Sequence, residues 1–259
     1  MRETTCAAII FAGGEGRRMG TALPKQYLEI DGIPILIHTL RLFQEHPEVA
    51  RIYLAVHEDY IDYTKELTER FGITKTVDVV AGGHVAQESI YNALIRAAAD
   101  CADDSIVLLH DGVRPFITPE VISRNIEGVR RNGNAITSIP CYETILVSDD
   151  GEQVERVPLR RETFTGQAPQ SFRLGDILAA HDRIRQTPGG YTNMVDACTI
   201  LQSLGIPTHM VEGNRGNIKV TTPVDVYLLR ALLEYRRESG EAQEPTAADL
   251  KSVEKREGS

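Results

Sequence analysis

The sequence predicts an α/β fold, a Rossmann-like and mostly parallel sheet with helices on both faces and a protruding β-arm. Two observations lead to this prediction. Short, continuously apolar runs recur along the chain, as in strands that are buried on both faces of a sheet. Amphipathic segments with helical periodicity separate these runs, and such alternation is typical of parallel βαβ units. With 259 residues, the chain is long enough to bury a core of this kind.

The individual elements follow from these two patterns. The predicted strands are residues 6–11, 51–56, 77–81, 105–109, 135–140 and 208–211. The predicted helices are residues 33–44, 59–71, 87–100, 119–132, 174–185, 195–204 and 223–237. Pro34, Gly72 and Thr118 support three helix ends, because Pro favours the first turn, Gly the C-terminal end and Thr the N-cap.

The segment YETILVSDDGEQVERVP, residues 142–158, interrupts this alternation. Its residues alternate as in a β-hairpin, and Asp150-Gly151 at its tip is a type I′ turn signal. Because the segment is long and polar for a packed core, we expect an arm at about residues 141–158 that leaves the globule. We predict one domain over residues 1–237 and a flexible polar tail over residues 238–259.

The charge and cysteine content exclude several classes of protein. The formal net charge is -9, from 37 acidic and 28 basic residues, so we expect neither nucleic acid nor a membrane surface as a partner. No apolar run is long enough to span a bilayer, and no secretory signal is evident. The four cysteines form no C-x-x-C pair, which argues against a zinc site and favours reduced thiols in a cytoplasmic protein.

The stretch AIIFAGGEGRRMGTALPKQY, residues 8–27, places a glycine-rich turn after the first strand. Glycine lets backbone N–H groups approach phosphate oxygens closely. The stretch lacks the Walker motif, and Gly20 falls one place late for G-x-G-x-x-G, so a Rossmann-type dehydrogenase is the weaker alternative. Arg17, Arg18 and Lys25 add positive charge that suits a triphosphate, whereas the plain alternative is a solvated loop with incidental charge.

The loop GGEGRRMGTALPKQY resembles the signature loop of sugar-nucleotide-type nucleotidyltransferases. The resemblance is to the cytidylyltransferases that act on 2-C-methyl-D-erythritol 4-phosphate and on D-ribitol 5-phosphate. Further segments resemble this family in the same order, from about residue 5 to residue 236. They are Gly82-Gly83 with Ser89, HDGVRPFIT from His110, GQAPQSF from Gly166, Asp196-Ala197 and GNIKVTTPVD from Gly216. The resemblance implies a nucleotide-diphospho-sugar transferase fold and CMP transfer from CTP to a polyol phosphate, with Mg²⁺ and release of pyrophosphate.

The resemblance also assigns site residues. The catalytic residues that it implies are Arg18, Lys25 and Lys219, which would contact the triphosphate. Those implied to bind the nucleotide are Ala12, Gly13, Gly14, Gly82, Gly83, Ser89 and Asp111, with Asp111 also the magnesium ligand. Those implied to bind the acceptor are Thr144, Arg160, Asp196 and Arg114. In relatives the arm crosses to a neighbouring subunit, so the resemblance implies a homodimer in which Thr144 and Arg160 serve the partner's site.

Three positions depart from the family pattern. Ala86 stands where the family usually has an arginine, and Ala168 and Val195 stand where it usually has threonines. Ala86 supports the alternative of a catalytically weak, nucleotide-binding paralogue. VRPFIT, GQAPQSF and DAC are nearer to the ribitol 5-phosphate branch, but Val195 and Ala168 fit neither branch. The acceptor therefore stays open between the two polyol phosphates and a third, related one. Since the acceptor phosphate is already an anion, we expect catalysis by positioning and electrostatics.

Overall fold

The computed structural model describes residues 2–14 and 23–239. Its strands are β1 Cys6–Ala12, β2 Glu29–Ile30, β3 Ile33–Pro34, β4 Arg51–Val56, β5 Thr76–Ala81, β6 Ile106–Asp111, β7 Asn134–Pro140, β8 Phe164–Arg173 and β9 Met210–Glu212. Its helices are α1 Ile35–Glu45, α2 Ile61–Arg70, α3 Ala86–Asp100, α4 Pro119–Asn132, α5 Leu174–Arg185, α6 Ala197–Ser203 and α7 Pro223–Ser239. The predicted fold class is confirmed.

A seven-stranded sheet forms the centre of the fold, in the order β5-β4-β1-β6-β8-β7-β9. Its strands are parallel except β8, which is antiparallel to both β6 and β7. Alternate residues of β1 are buried on opposite faces of the sheet. Ala8 and Ile10 belong to the core cluster formed with α1, α2 and α4. Ala7 and Ile9 belong to the core cluster formed with α3, α5 and α6. The unbroken apolar run of β1 is therefore explained by burial on both sides.

The predicted strand 51–56 and the predicted helices 119–132 and 174–185 have the bounds found in the structure. The other predicted elements are present with ends that differ by a few residues. Pro34 precedes α1 as its N-cap, and Thr118 is the N-cap residue of α4, although its side chain forms no capping hydrogen bond.

Three strands were not predicted, namely β8 and the two strands of a short hairpin. The longest strand, β8, contains the polar buried residues Gln167, Gln170 and Ser171, which hide the strand pattern. The short hairpin β2–β3 turns at Asp31-Gly32, where both residues have positive φ, at 54° and 74°, as a type I′ turn requires.

The arm prediction is only partly right. Residues 142–146 and 148–157 are exposed, as expected of a segment that leaves the core. However, the segment is not a regular hairpin, because only one bridge, between Val147 and Arg156, is found in it. Asp150-Gly151 is also not a type I′ turn, since Gly151 but not Asp150 has a positive φ. The Asp150 Oδ1 instead accepts hydrogen bonds from the backbone N–H groups of Glu152 and Gln153. The predicted domain and tail limits stay predictions, and residues 240–259 lie outside the described part.

Candidate active site

The candidate site lies at the edge of the sheet where β1 and β6 end. These parallel neighbours stay in register up to Phe11 and Asp111. The chain passes from β1 outward to β4 and β5 and then returns to β6 on the other side of β1, so the strand order reverses between β1 and β6. In open α/β sheets, ligands bind outside the carboxyl ends of the strands at such a reversal. Asp111 is the last residue of β6 and lies at this point.

Asp111 is held between two cations. Its Oδ1 is 2.6 Å from the Lys219 Nζ, and its Oδ2 accepts a hydrogen bond from the Arg114 Nε at 2.8 Å. Burial raises the pKa of the Asp111 carboxyl, but Lys219 and Arg114 outweigh this effect and lower the pKa to about 2. The carboxylate is therefore ionised throughout the neutral pH range.

Arg114 connects the end of β6 to the loop that carries Lys219. Its Nη1 donates a hydrogen bond to the Asn217 carbonyl oxygen at 2.8 Å. Asn217 is fully buried, and its Nδ2 donates to the Ala168 carbonyl oxygen at 2.7 Å. The end of β6, the middle of β8 and the Lys219 loop are thus joined by one hydrogen-bonded network. Arg114 has this structural role, and its role toward the acceptor stays a prediction.

A cavity of about 200 Å³ adjoins the network. It is bounded by β1, β6, β8, the first turn of α3 and the start of α6. The predicted site residues that line it are Asp111, Arg114, Asp196 and Lys219. The three positions that depart from the family pattern, Ala86, Ala168 and Val195, line the same cavity. The departures are therefore concentrated at one place.

Asp196 has a clear structural role in the wall of the cavity. It is the N-cap of α6, where its Oδ1 accepts hydrogen bonds from the Thr199 N–H and Oγ1 at 2.8 and 2.7 Å. Its Oδ2 accepts a hydrogen bond from the Gln170 Nε2 at 2.7 Å. Gln170 was not predicted as a site residue, although it lies in the quoted GQAPQSF motif. The predicted contact of Asp196 with the acceptor stays a prediction.

The glycines predicted to bind the nucleotide converge on Ser89. The Gly83 N–H donates a hydrogen bond to the Ser89 Oγ at 3.0 Å, and Oγ donates to the Val85 carbonyl oxygen at 3.3 Å. A Cβ on Gly82 would lie 2.8 Å from the Ser89 Oγ, and one on Gly13 would lie 3.2 Å from it. A larger residue at Gly82 would therefore displace Ser89, which explains the glycine at this position.

Gln26 holds the start of the glycine-rich segment and was missed by the sequence analysis. Its side chain is 1% exposed, and its Nε2 donates hydrogen bonds to the carbonyl oxygens of Ala12 at 2.5 Å and of Gly14 at 3.4 Å. The only sequence signal for this role is a polar residue between Lys25 and Tyr27. Lys25 begins the 3₁₀ turn Lys25–Tyr27. Arg18 lies outside the described residues, so its role stays a prediction.

Thr144 is exposed in the arm, Arg160 is exposed just after the arm, and neither residue lines the cavity. The structure of one chain therefore does not bring them together with Asp111, Lys219 and Asp196. This separation agrees with a role in a partner's site, which stays a prediction.

The described residues contain no group of three or more His, Cys, Asp or Glu side chains arranged to hold a metal ion. Asp111 is the ionised carboxylate in the core of the site. Over residues 2–14 and 23–239, no helix has both the length and the apolar character that a membrane span requires.

Comparison with known proteins identifies the family. The family model described as IspD, 2-C-methyl-D-erythritol 4-phosphate cytidylyltransferase, matches residues 6–235. The chain is 42% identical over 230 residues to a ribitol-5-phosphate cytidylyltransferase of Streptococcus agalactiae, covering 88% of this chain and 95% of that enzyme. It is 41% identical over 228 residues to the 2-C-methyl-D-erythritol 4-phosphate cytidylyltransferase of Geotalea uraniireducens, covering 88% of this chain and 96% of that enzyme.

The fold comparison agrees with these matches. The crystal structure of 4-diphosphocytidyl-2C-methyl-D-erythritolsynthase from Anaerococcus prevotii superposes with a TM-score of 0.78 and 26% identity, over 89% of this chain and 96% of that one. These matches overturn the dehydrogenase alternative. The chain belongs to the 2-C-methyl-D-erythritol 4-phosphate cytidylyltransferase (IspD) family and is a cytidylyltransferase.

Proposed function

We propose that this cytidylyltransferase uses D-ribitol 5-phosphate as its acceptor and that Asp111, Arg114 and Lys219 form the centre of its site. In the reaction, an oxygen of the acceptor phosphate bonds to the α-phosphorus of CTP, and the bond between that phosphorus and its bridging oxygen breaks, which releases pyrophosphate. The observation that carries the proposal is the buried Asp111 carboxylate, paired with both cations beside a cavity at the strand-order reversal.

The chemistry requires charge neutralisation more than proton transfer. Both reactants are anions, and the attacking phosphate oxygen is ionised at neutral pH, so the site needs no strong general base. The Lys219 side chain is 42% exposed, whereas that of Asp111 is 10% exposed. Lys219 can therefore turn from Asp111 toward the α-phosphate while Asp111 stays in place. Arg18 and Lys25 add positive charge for the triphosphate from the glycine-rich segment.

Magnesium is proposed to enter with CTP, and Asp111 is its proposed protein ligand. Mg²⁺ is commonly held by one or two carboxylates together with phosphate oxygens and water. The ionised Asp111 carboxylate beside the cavity fits this mode of binding, which needs no cage of protein ligands. When bound, the ion supplies positive charge to the phosphate oxygens.

The cytosine base is proposed to bind at the glycine cluster around Ser89. Backbone groups of Gly82 and Gly83 lie next to the Ser89 hydroxyl, and Gly13 is also close to it. Hydrogen-bonding groups of this kind can read a pyrimidine edge and leave little room for a purine. Ala12 and Gly14, whose carbonyl oxygens are held by Gln26, complete the proposed nucleotide-binding set.

We favour D-ribitol 5-phosphate because of three motifs that we assign to the acceptor side of the site. VRPFIT, GQAPQSF and DAC are nearer to the ribitol 5-phosphate branch, and relatives in Streptococcus agalactiae and Vibrio parahaemolyticus with 42% and 40% identity carry that name. This activity supplies a precursor of surface polymers. The second candidate is 2-C-methyl-D-erythritol 4-phosphate, an isoprenoid precursor, which the family model and the 41% identical Geotalea relative favour.

The active assembly is proposed to be a homodimer formed through the arm, with Thr144 and Arg160 reaching the partner's acceptor site. The support is the exposed character of the arm, which carries apolar side chains that a partner could cover. Those that are at least half exposed are Leu146, Val154 and Val157, and Leu159 directly after the arm is also half exposed. A cytoplasmic location is also proposed, because all four cysteines are free thiols.

The test is pyrophosphate release from CTP and Mg²⁺ with D-ribitol 5-phosphate, with 2-C-methyl-D-erythritol 4-phosphate and without an acceptor. Release that depends on D-ribitol 5-phosphate is the expected result. Release only with 2-C-methyl-D-erythritol 4-phosphate would make that polyol phosphate the acceptor and would leave the proposed CMP transfer unchanged. No release with either, from protein that binds CTP, would contradict both assignments and favour a weak paralogue.

A further inference from the structure

Gln87 stands out among the residues that line the cavity. It is the second residue of α3, and its side chain is 2% exposed. Its Oε1 is buried and has no hydrogen-bond partner among the described residues. A buried amide oxygen without a partner destabilises the folded state, so such groups are rare in native proteins. Gln87 therefore calls for an explanation beyond packing.

Three other polar side chains that line the cavity, those of Gln167, Gln170 and Asp196, already have hydrogen-bond partners within the protein. The Gln170 Nε2 donates a hydrogen bond to Asp196, and the Gln170 Oε1 accepts one from the Cys198 N–H at 3.0 Å. Asp196 is occupied by Gln170 and by the helix that it caps. The Gln167 Nε2 donates to the Asn214 carbonyl oxygen at 3.0 Å. Of these four side chains, Gln87 is the one with a buried polar atom that the fold itself does not satisfy.

The surroundings of Gln87 favour the acceptor over the cytosine base. The cavity that it lines is shared with Gly166, Ala168, Val195 and Asp196, which come from the acceptor-side motifs. The glycine cluster around Ser89 does not contribute to this lining. Ala86, Ala168 and Val195 offer only apolar side chains to this cavity, and Gln87 has a polar atom that no other described residue satisfies.

We propose that Gln87 is a specificity-determining residue, whose side-chain amide oxygen accepts a hydrogen bond from a hydroxyl group of the polyol phosphate acceptor. This rests on the proposed function for the location of the acceptor, but not on which of the two polyols is used. A site that satisfies a buried polar atom with a substrate hydroxyl discriminates strongly against analogues without that hydroxyl, because the atom is then left unpaired. Gln87 thus selects for a hydroxyl at one position of the acceptor chain.

The test compares the wild type with Gln87→Leu, which keeps the side-chain size and removes the amide. The steady-state KM values for the acceptor and for CTP are measured with each. We expect the acceptor KM to rise by roughly tenfold, as for the loss of one hydrogen bond, and the CTP KM to stay within about twofold. Gln87→Met is a second variant of similar volume, for use if the leucine variant does not fold.

Monodeoxy acceptors identify the hydroxyl. The wild type should lose affinity for the analogue that lacks the hydroxyl read by Gln87, while Gln87→Leu should not distinguish that analogue from the full acceptor. A matched control is Thr76→Val, since the Thr76 Oγ1 is also buried without a partner but lies at the start of β5, outside the lining of this cavity. The control should leave both KM values unchanged.

Two results would overturn the proposal. One is a change in the CTP KM without a change in the acceptor KM, which would assign Gln87 to the nucleotide. The other is two unchanged KM values and equal losses on every deoxy analogue, which would make Gln87 a packing residue. If the wild type uses only 2-C-methyl-D-erythritol 4-phosphate, the ribitol assignment fails, and the same KM comparison with that acceptor still decides the role of Gln87.

Discussion

The Lys219 ammonium lies 2.6 Å from the Asp111 Oδ1 and joins the loop before α7 to the end of β6. Asp111 is also fixed by Arg114, whose side chain is 14% exposed. Lys219 is the more exposed of the two cations, at 42%. Because Arg114 also neutralises Asp111, the buried carboxylate keeps a cationic partner if the exposed Lys219 ammonium contacts a phosphate at the edge of the cavity.

Lys219→Ala should lower the kcat for CMP transfer by about 100-fold or more, the usual effect of removing one group that stabilises developing charge. Pyrophosphate release measures the effect. Lys65→Ala is the control, because Lys65 is an exposed lysine on α2. A kcat close to that of the wild type would remove Lys219 from the catalytic set.

Lys25→Ala should abolish CMP transfer while the fold stays intact, because Lys25 is proposed to hold the triphosphate. Circular dichroism and thermal unfolding test the fold, and pyrophosphate release tests the activity. The side chain of Lys25 is half-buried at the start of the Lys25–Tyr27 turn, next to Gln26. Near-normal turnover by a folded variant would contradict the triphosphate role.

The pH dependence of stability should report the ion pair of Asp111. A carboxyl with a lowered pKa stabilises the fold above the unfolded pKa of 3.8, and this contribution is lost as the pH falls through the folded pKa of about 2. The free energy of unfolding of the wild type should therefore fall by about 2 kcal/mol more than that of Asp111→Asn between pH 5 and pH 2. Denaturant unfolding at several pH values measures this difference, and parallel curves would contradict it.

Much of the fold could be predicted because local patterns matched the tertiary structure. The apolar run of β4 and the capped, periodic sequence of α4 needed no long-range information. The sequence could not predict β8, because its buried Gln167, Gln170 and Ser171 are satisfied by partners distant in the chain, such as Asn125 for Ser171. Hydrophobic pattern alone cannot distinguish such polar residues from those of a loop.

The residues of the candidate site likewise include some that the sequence could predict and some that it could not. Motif resemblance selected Asp111 and Lys219, which are far apart in sequence but form an ion pair. It missed Gln26, because its role arises from burial and from contacts that only the folded chain creates. Asp196 was selected as a binding residue, and the structure adds its role as the N-cap of α6.

The apolar surface of the arm should mediate dimerisation. Leu146→Glu places a charge on a side chain that is 58% exposed, so the monomer should fold normally while a dimer through the arm is weakened. Sedimentation velocity measures the oligomeric state. Ile95→Glu is the control, because Ile95 is 49% exposed and belongs to α3 and not to the arm. A wild-type monomer, or a dimer that both variants preserve, would contradict the proposed interface.

Arg160→Ala should raise the KM for the acceptor more than the KM for CTP, because Arg160 is proposed to clamp the acceptor phosphate. A charged hydrogen bond to a phosphate contributes about 1.5–3 kcal/mol, so a roughly tenfold or larger increase is expected. Arg161→Ala is a closely matched control, since the neighbouring Arg161 side chain is 79% exposed and pairs only loosely with Glu162 at 3.4 Å. If Arg160 acts in the partner's site, a mixture of the Lys219→Ala and Arg160→Ala chains should be more active at low acceptor concentration than either variant alone, since mixed dimers then contain one intact site. A larger effect on CTP than on the acceptor would contradict the assignment of Arg160, and a mixture no more active than either variant alone would contradict its action across the dimer.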